Sequence, residues 1–575
     1  MSQDERDDSS AVEETPDRPA SRADGPPDRS AGQVEWPLIK EPGAALETHG
    51  AHFSFLDFEI DLDRYVGEFN EQVIGAYGQG EGAVLPADTG IARSLIPPGT
   101  GVFRDFSHVA PALPKFIAER CVACMECVTV CPDTAILGRI AEPDALASAA
   151  ANIVTDEERA DFESQWVRTT KFFDVVEKKG ESGGMFGIHV DPTKCKGCGE
   201  CVVACGSHAA LEMIEKSDDL IETFRNRHRL IQGLPESPQR FLARKLPVDL
   251  MLNEDRCLLY VGGAGSCAGC GEATAIRMML AATGDVYPRE EIGIIAATGC
   301  NTVYGATYPY NPYLVTWSNS LFENAPAVAM GVRAQWDQRG WERKRLWVLG
   351  GDGAMYDIGF QSLSRMFCSG MDIKVLVLDT QVYSNTGGQA STASFTAQEA
   401  KMSPFGRVQP GKIEKRKELS NIAFMHPEVY VAQTSTAYVN HFQRAIREAN
   451  EFPGPALVNV FTTCQPEHGV GDDMAIEQSR RAVQSRAFPL FVHDPRKGES
   501  MRERLSLRGN PAMTEDWPKD AKTGELYTFI DYARTEGRFR RQFSADGEPS
   551  ELLLVAQTDR LRNWRLLQEL AGSRR

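Results

Sequence analysis

Arg345-Leu346-Trp347-Val348-Leu349-Gly350-Gly351-Asp352-Gly353 reads as a buried strand running straight into a carboxylate flanked by glycines. Leu346–Leu349 shows no polar alternation, the pattern of a strand covered on both faces. Ile292–Ala296, Ile373–Leu378 and Ala456–Phe461 share that texture, and Glu272–Ala282, Ile358–Ser369 and Ser435–Asn450 predict helices between them. Such alternation predicts an α/β, doubly wound domain with a parallel sheet, placed over residues 251–545. Helical patterns over Tyr527–Phe543 and Glu551–Leu570 follow, so residues 546–575 are expected as a C-terminal helix.

In open α/β sheets ligands bind beyond the carboxyl ends of the strands. Gly351 and Gly353 let the backbone approach a diphosphate, and a helix expected to begin near Tyr356 would point N–H groups at it. Asp352 can then hold Mg2+, a hard cation that bridges a carboxylate to phosphates. A lone Gly-Asp-Gly is equally an ordinary turn. What strengthens the ligand reading is Asp379-Thr380-Gln381-Val382-Tyr383-Ser384-Asn385-Thr386-Gly387-Gly388, a second polar loop after Ile373–Leu378 on the same edge of the sheet.

Working toward the N-terminus, cysteine becomes the informative residue, with 14 in the chain. Cys121-x-x-Cys124-x-x-Cys127-x-x-x-Cys131-Pro132 is the bacterial ferredoxin run, and Cys195-x-x-Cys198-x-x-Cys201-x-x-x-Cys205 repeats it. In two-cluster ferredoxins the fourth cysteine of each run serves the other cluster. Cys121, Cys124, Cys127 and Cys205 are therefore assigned to one [4Fe–4S], and Cys195, Cys198, Cys201 and Cys131 to another. Zinc also uses paired Cys-x-x-Cys, but one zinc ion takes four thiolates and leaves the others unexplained. Gly206 stands where the pattern usually has proline, which softens the second loop more than it affects ligation. Residues 111–250 are thus expected as a two-[4Fe–4S] ferredoxin-like α+β domain, with a charged, partly helical insertion at Glu157–Phe173.

From Asp352 through Gln389, including Tyr383-Ser384-Asn385-Thr386-Gly387-Gly388-Gln389, the chain resembles the thiamine diphosphate loop of pyruvate:ferredoxin oxidoreductases. The resemblance implies Mg2+ ligands in the Asp352 carboxylate, the Thr380 side chain and the Val382 carbonyl. It puts Asn385 beside the reacting thiazolium as a catalytic residue, and Gly351, Gly353, Cys270, Gly271, Glu272 and Cys300 against the cofactor. Cys267-Ala268-Gly269-Cys270, Cys300 and Cys464 read alone are either four unrelated buried cysteines or a ligand set brought to one sheet edge. The family places a proximal [4Fe–4S] on matching motifs, so the resemblance favours a third cluster on Cys267, Cys270, Cys300 and Cys464. Cys257 and Cys368 remain as structural residues. Asn319–Asn324 echoes the family too, as a wall of the cofactor pocket or as core at Leu321 and Phe322. His426 and His468 read as structural histidines.

Thiamine diphosphate, Mg2+ and three [4Fe–4S] clusters are thus the expected cofactors. The implied reaction is coenzyme A-dependent oxidative decarboxylation of a 2-oxoacid, pyruvate foremost, with electrons leaving to ferredoxin or flavodoxin. The alternatives are the same chemistry on 2-oxoglutarate or another 2-oxoacid, or a non-catalytic electron-transfer subunit. The family's pyrimidine-binding and coenzyme A-binding domains have no counterpart before residue 100, so a partner subunit is expected to supply them and activity to depend on it.

The bulk composition is consistent with this. The 575 residues carry 80 acids against 62 bases, a net charge of −18, which argues against nucleic-acid binding. No apolar run is long enough for a membrane span and residues 1–30 lack a signal-peptide core, so the expected location is cytoplasmic. Residues 1–50 hold 12 acids and 5 bases among prolines; residues 1–36 are read as a disordered acidic tail and 37–110 as a linker or arm. Arg225–Arg229 is either a basic patch that steers an acidic ferredoxin or a solvated helix face.

Overall fold

The computed structural model describes residues 62–85, 95–242, 246–404, 410–426 and 428–574; the acidic tail lies outside them. Its main body is an eight-stranded sheet. Its strands are β6 (Ile292–Ala297), β7 (Thr316–Ser320), β8 (Arg345–Gly351), β9 (Lys374–Asp379), β10 (Tyr430–Ser435), β11 (Ala456–Phe461), β12 (Phe491–His493) and β13 (Leu505–Ser506), preceded in the chain by β1–β5 of the cysteine-rich part. The order across the sheet is β13-β12-β10-β11-β9-β8-β6-β7. The strands from β10 to β7 run parallel, and only the short β12 and β13 at one edge are antiparallel.

The apolar runs work as read from the sequence. Successive side chains on a strand face opposite ways, and alternate residues of β8 enter two different cores. Trp347 and Leu349 join Leu376, Leu378, Val458 and Val460 with the helices Gly271–Gly284 and Val439–Glu451. Leu346 and Val348 join Val375, Val377, Leu457 and residues of the helix Phe360–Phe367. Helices on both faces make the domain doubly wound, as expected.

Several boundaries differ. Ser435–Asn450 divides into the end of β10 and a helix that starts at Val439, because Ser435 still pairs with Phe461. Tyr527–Phe543 is a short helix, Phe529–Ala533, and a 3-10 turn, Gly537–Gln542. The arm is not featureless: Leu62–Gly78 is a helical run whose Phe69 and Tyr77 rings meet Tyr308 at 6.0 and 5.5 Å. The C-terminal helix Glu551–Leu570 forms as expected.

The cysteine-rich part pairs β1 (Ala112–Phe116) with β5 (Leu211–Glu215), and β4 (Met185–Val190) lies between β2 (Ile136–Ala141) and β3 (Trp166–Val167). The insertion between β2 and β4 holds helices Pro143–Ala151 and Asp156–Glu163, the latter capped by Thr155. Among the described residues no helix is long and apolar enough to cross a membrane.

Candidate cofactor and cluster sites

Four functional residues leave four contiguous strands of the sheet. Cys464 follows β11, Thr380 follows β9, Asp352 follows β8, and Cys300 lies just past β6, in the order β11-β9-β8-β6. At roughly 4.8 Å per strand they span about 14 Å of one sheet edge. The helix after β8 begins at Gly353, earlier than expected, with Asp352 as its N-cap residue.

The three expected Mg2+ ligands are together. The Thr380 hydroxyl lies 3.1 Å from Asp352 Oδ1 and 3.1 Å from the Val382 carbonyl. The Thr380 amide donates to the same carboxylate oxygen at 3.3 Å, and the Ser391 hydroxyl donates to its other oxygen. Burial, with Asp379 beside it, pushes the Asp352 carboxyl up to about 8. Burial disfavours the ionised carboxylate here, and a bound cation would restore it; Asp352, Thr380 and the Val382 carbonyl would offer Mg2+ the oxygen ligands it favours. Gly351, Asp352, Gly353, Thr380, Val382, Asn385, Glu272 and Cys300 line one cavity here.

A second cavity of about 240 Å3 adjoins it, lined by Cys267, Cys270, Cys300 and Cys464. Glu272, Thr380, Ser384 and Asn385 line both cavities, and Asn385 is exposed at their shared mouth. Gly271 begins the helix beside them. Burial pushes the Glu272 carboxyl up to about 7, and the Tyr304 hydroxyl donates to it at 3.3 Å.

The ferredoxin-type cysteines ring two further cavities in the crossed sets read from the sequence. One is lined by Cys121, Cys124, Cys127 and Cys205, the other by Cys131, Cys195, Cys198 and Cys201. Among the described residues no three His, Cys, Asp or Glu side chains converge tightly enough for a single ion. Thiols spaced around a cavity suit the corners of a cubane better than one zinc. Burial pushes Cys121 up to about 11 and Cys195 and Cys464 up to about 12, a cost that metal ligation, which takes a coordinating thiol deprotonated, would offset.

The local backbone explains the spacing. Ala123, Gly197 and Gly269 each sit two residues after a cysteine with φ of 57°, 70° and 67°. The same left-handed turn thus brings Cys267 and Cys270 round as it does the ferredoxin pairs. A Cβ on Gly269 would collide with the Asp472 carbonyl, so only glycine fits there.

Some expectations need correction. Leu321 is exposed and is not core; Phe322 is half-buried and lines the cavity that holds Asp352 and Thr380. Cys257 is buried, but Cys368 is exposed. The arginines of 225–229 are engaged within the chain, Arg225 with Asp105 at 2.7 Å and the buried Arg227 with Asp161, so this is neither a free basic patch nor a fully solvated face. His468 is buried, with its Nε2 at 2.8 Å from the Thr380 carbonyl. His426 meets the Ser364 hydroxyl, away from both cavities.

Sequence reasoning missed Ser391 and the buried network behind Asp352. The Arg416 guanidinium pairs with Asp379, and Asn459 donates to the Tyr356 hydroxyl at 2.8 Å. Only the place of Asp379 beside Thr380 hinted at it.

Comparison with known proteins agrees with this layout. Residues 297–460 match the C-terminal TPP-binding domain of thiamine pyrophosphate enzymes, and residues 114–137 and 188–210 match 4Fe-4S binding domains. The fold and site therefore define a thiamine diphosphate-binding α/β domain joined to a two-motif iron–sulfur domain. Among its relatives are a probable pyruvate-flavodoxin oxidoreductase of Escherichia coli, 28% identical over 88% of this chain and 45% of the relative, and the pyruvate:ferredoxin oxidoreductase of Moorella thermoacetica, 26% identical over 87% and 46%. The chain is similar to these oxidoreductases and spans about half the length of the curated relatives it matches. A solved 2-oxoglutarate:ferredoxin oxidoreductase from Magnetococcus marinus is 23% identical and covers 35% of this chain and 65% of that one, with a TM-score of 0.31.

Proposed function

We propose that this chain is the cluster-bearing subunit of a 2-oxoacid:ferredoxin oxidoreductase, with pyruvate as substrate. The observation that carries the reading is the shared wall of two cavities: Glu272, Cys300, Thr380 and Asn385 border both the diphosphate position and the four-thiol cavity. Bound thiamine diphosphate supplies the carbanion that makes decarboxylation of a 2-oxoacid possible. Asp352, Thr380 and the Val382 carbonyl hold its Mg2+. Ser391 and the Thr380 amide orient the Asp352 carboxylate, and Asn385 offers an amide to the substrate at the mouth. Cys267, Cys270, Cys300 and Cys464 would hold a cluster that supplies a nearby one-electron acceptor, and the two ferredoxin-type sets would hold the clusters that supply a path toward ferredoxin or flavodoxin.

The pyrimidine-binding and coenzyme A-binding domains lie on a partner subunit in this reading. Val303, which lines the four-thiol cavity, is 52% exposed, and Leu321, next in the chain to the cavity residue Phe322, is 56% exposed, apolar side chains for a partner to cover. The test is anaerobic co-purification with the partner and assay of coenzyme A-dependent viologen reduction. Activity with pyruvate from the complex and none from the chain alone is expected. A preference for 2-oxoglutarate would correct the substrate, and full activity from the chain alone would overturn the partner.

A further inference from the structure

Three cysteine motifs meet on one ammonium group. Lys196 follows Cys195, and its side chain is 7% exposed. Its Nζ donates to Asp133 Oδ1 at 2.7 Å, to the Ser266 carbonyl at 2.8 Å and to the Ser266 hydroxyl at 2.9 Å. All three N–H groups are used. Asp133 stands two residues after Cys131, and Ser266 immediately precedes Cys267. The Phe106 ring covers the ammonium at 5.0 Å.

A second cation is wedged into the same region from the opposite motif. Arg277 lies on the helix that starts just after Cys270 and is fully buried. Its Nε donates to Thr134 Oγ1 at 3.0 Å, and its Nη1 to the Val128 and Thr129 carbonyls at either side of the first motif's end. Nη2 has no partner among the described residues. Burial holds the Arg277 guanidinium below its usual range, opposed by Cys131 and Asp133, the groups facing it that favour its charge.

The nearby carboxylates are already engaged. Asp133 is paired with Lys196, and Glu200 accepts from the Ala475 and Ile476 amides. His208 and the apolar Phe116, Val122, Met125, Phe186 and Ile188 line the other ferredoxin-type cavity. A cation found there among the described residues is Lys171, which donates to the Ala123 carbonyl at 3.3 Å but is 24% exposed and paired with Asp249, so it is less buried than Lys196 or Arg277.

We propose that Lys196 and Arg277 set the reduction potential of the cluster held by Cys131, Cys195, Cys198 and Cys201, making it the first of the two ferredoxin-type clusters to be reduced. This rests on the cluster assignment proposed above. An added electron puts negative charge into a buried site, where net charge and hydrogen bonds to sulfur govern the potential. Both residues act through the cluster ligands and are positioning residues.

The test is a redox titration followed by EPR on the anaerobically isolated complex, with the signal of this cluster identified through Cys131→Ser and that of the other through Cys205→Ser. Lys196→Met and Arg277→Met, which keep much of the side-chain volume, are each expected to weaken the cluster's hold on its electron about tenfold, a fall of ~59 mV for a one-electron couple. Arg277→Lys is expected to restore most of that fall. Unchanged midpoints at full iron content, or equal shifts of all clusters, would overturn the proposal. If the methionine variants do not assemble, the parent decides: reduction of the Cys205-marked cluster first would also overturn it. An iron content matching only two clusters would count against the proximal assignment and leave this comparison standing.

Discussion

The Thr380 hydroxyl and the Asp352 carboxylate, 28 residues apart in the chain, are 3.1 Å apart in the fold. They meet because β8 and β9 are parallel neighbours in a register that pairs Gly351 with Leu378. Replacing Asp352 by Ala is expected to weaken thiamine diphosphate binding about 100-fold in the presence of Mg2+, and Ser391→Ala about 10-fold, since it only orients the carboxylate. Calorimetric titration of the complex checks both; Mg2+-independent binding in Asp352→Ala would show that the metal sits elsewhere.

Cys464→Ser should remove the proximal cluster and spare the ferredoxin-type pair. Iron content is then expected to drop from about 12 to about 8 per chain, with two EPR signals left. A drop to about 4 would mean that Cys464 serves the fold of the whole chain.

Glu200 joins the second ferredoxin-type motif to the α/β domain. Its carboxylate accepts from the Ala475 and Ile476 amides at 3.0 and 2.8 Å, at the N-terminus of the helix Ala475–Gln484. Charged acceptors at a helix start are stabilising. Glu200→Ala is expected to cost about 2 kcal/mol and to slow electron transfer out of the proximal cluster; thermal unfolding and stopped-flow reduction measure the two.

Lys374 gives a pH dependence. It is buried beneath the sheet, donating to the Gly454 carbonyl at 2.8 Å and paired with Asp372. Burial lowers it from 10.5 to about 8. An amine held below its unfolded value destabilises the fold while the unfolded chain binds the proton more tightly. That cost is full below pH 8 and vanishes as pH rises toward 10.5. The parent should therefore gain on Lys374→Met by on the order of 1–3 kcal/mol between pH 7.5 and 10 in denaturant titrations. A constant gap would show that Lys374 is not depressed.

Much of this was legible in the chain because its ligands come in short runs. Cys121 to Cys127 and Cys195 to Cys201 each fold as one turning loop, and the left-handed residues inside them need no distant partner. Gly351-Asp352-Gly353 is likewise local. What escaped was packing: β10 was not read as a strand and meets the helical pattern Ser435–Asn450 only at Ser435, and the Leu62–Gly78 helices carry weak periodicity because their burial is against Tyr308 and Tyr310.

By itself, then, the amino-acid order determined the strand texture, the cysteine spacing and the carboxylate at the strand end, all of which depend on neighbours in sequence. Only the tertiary structure decided that Cys464 and Cys300 flank Thr380 and Asp352, that Ser391 holds the Asp352 carboxylate, and that Lys196 reaches Ser266. Those pairings follow from strand order and register, which arise from how two cores close on one sheet and leave no trace in local sequence.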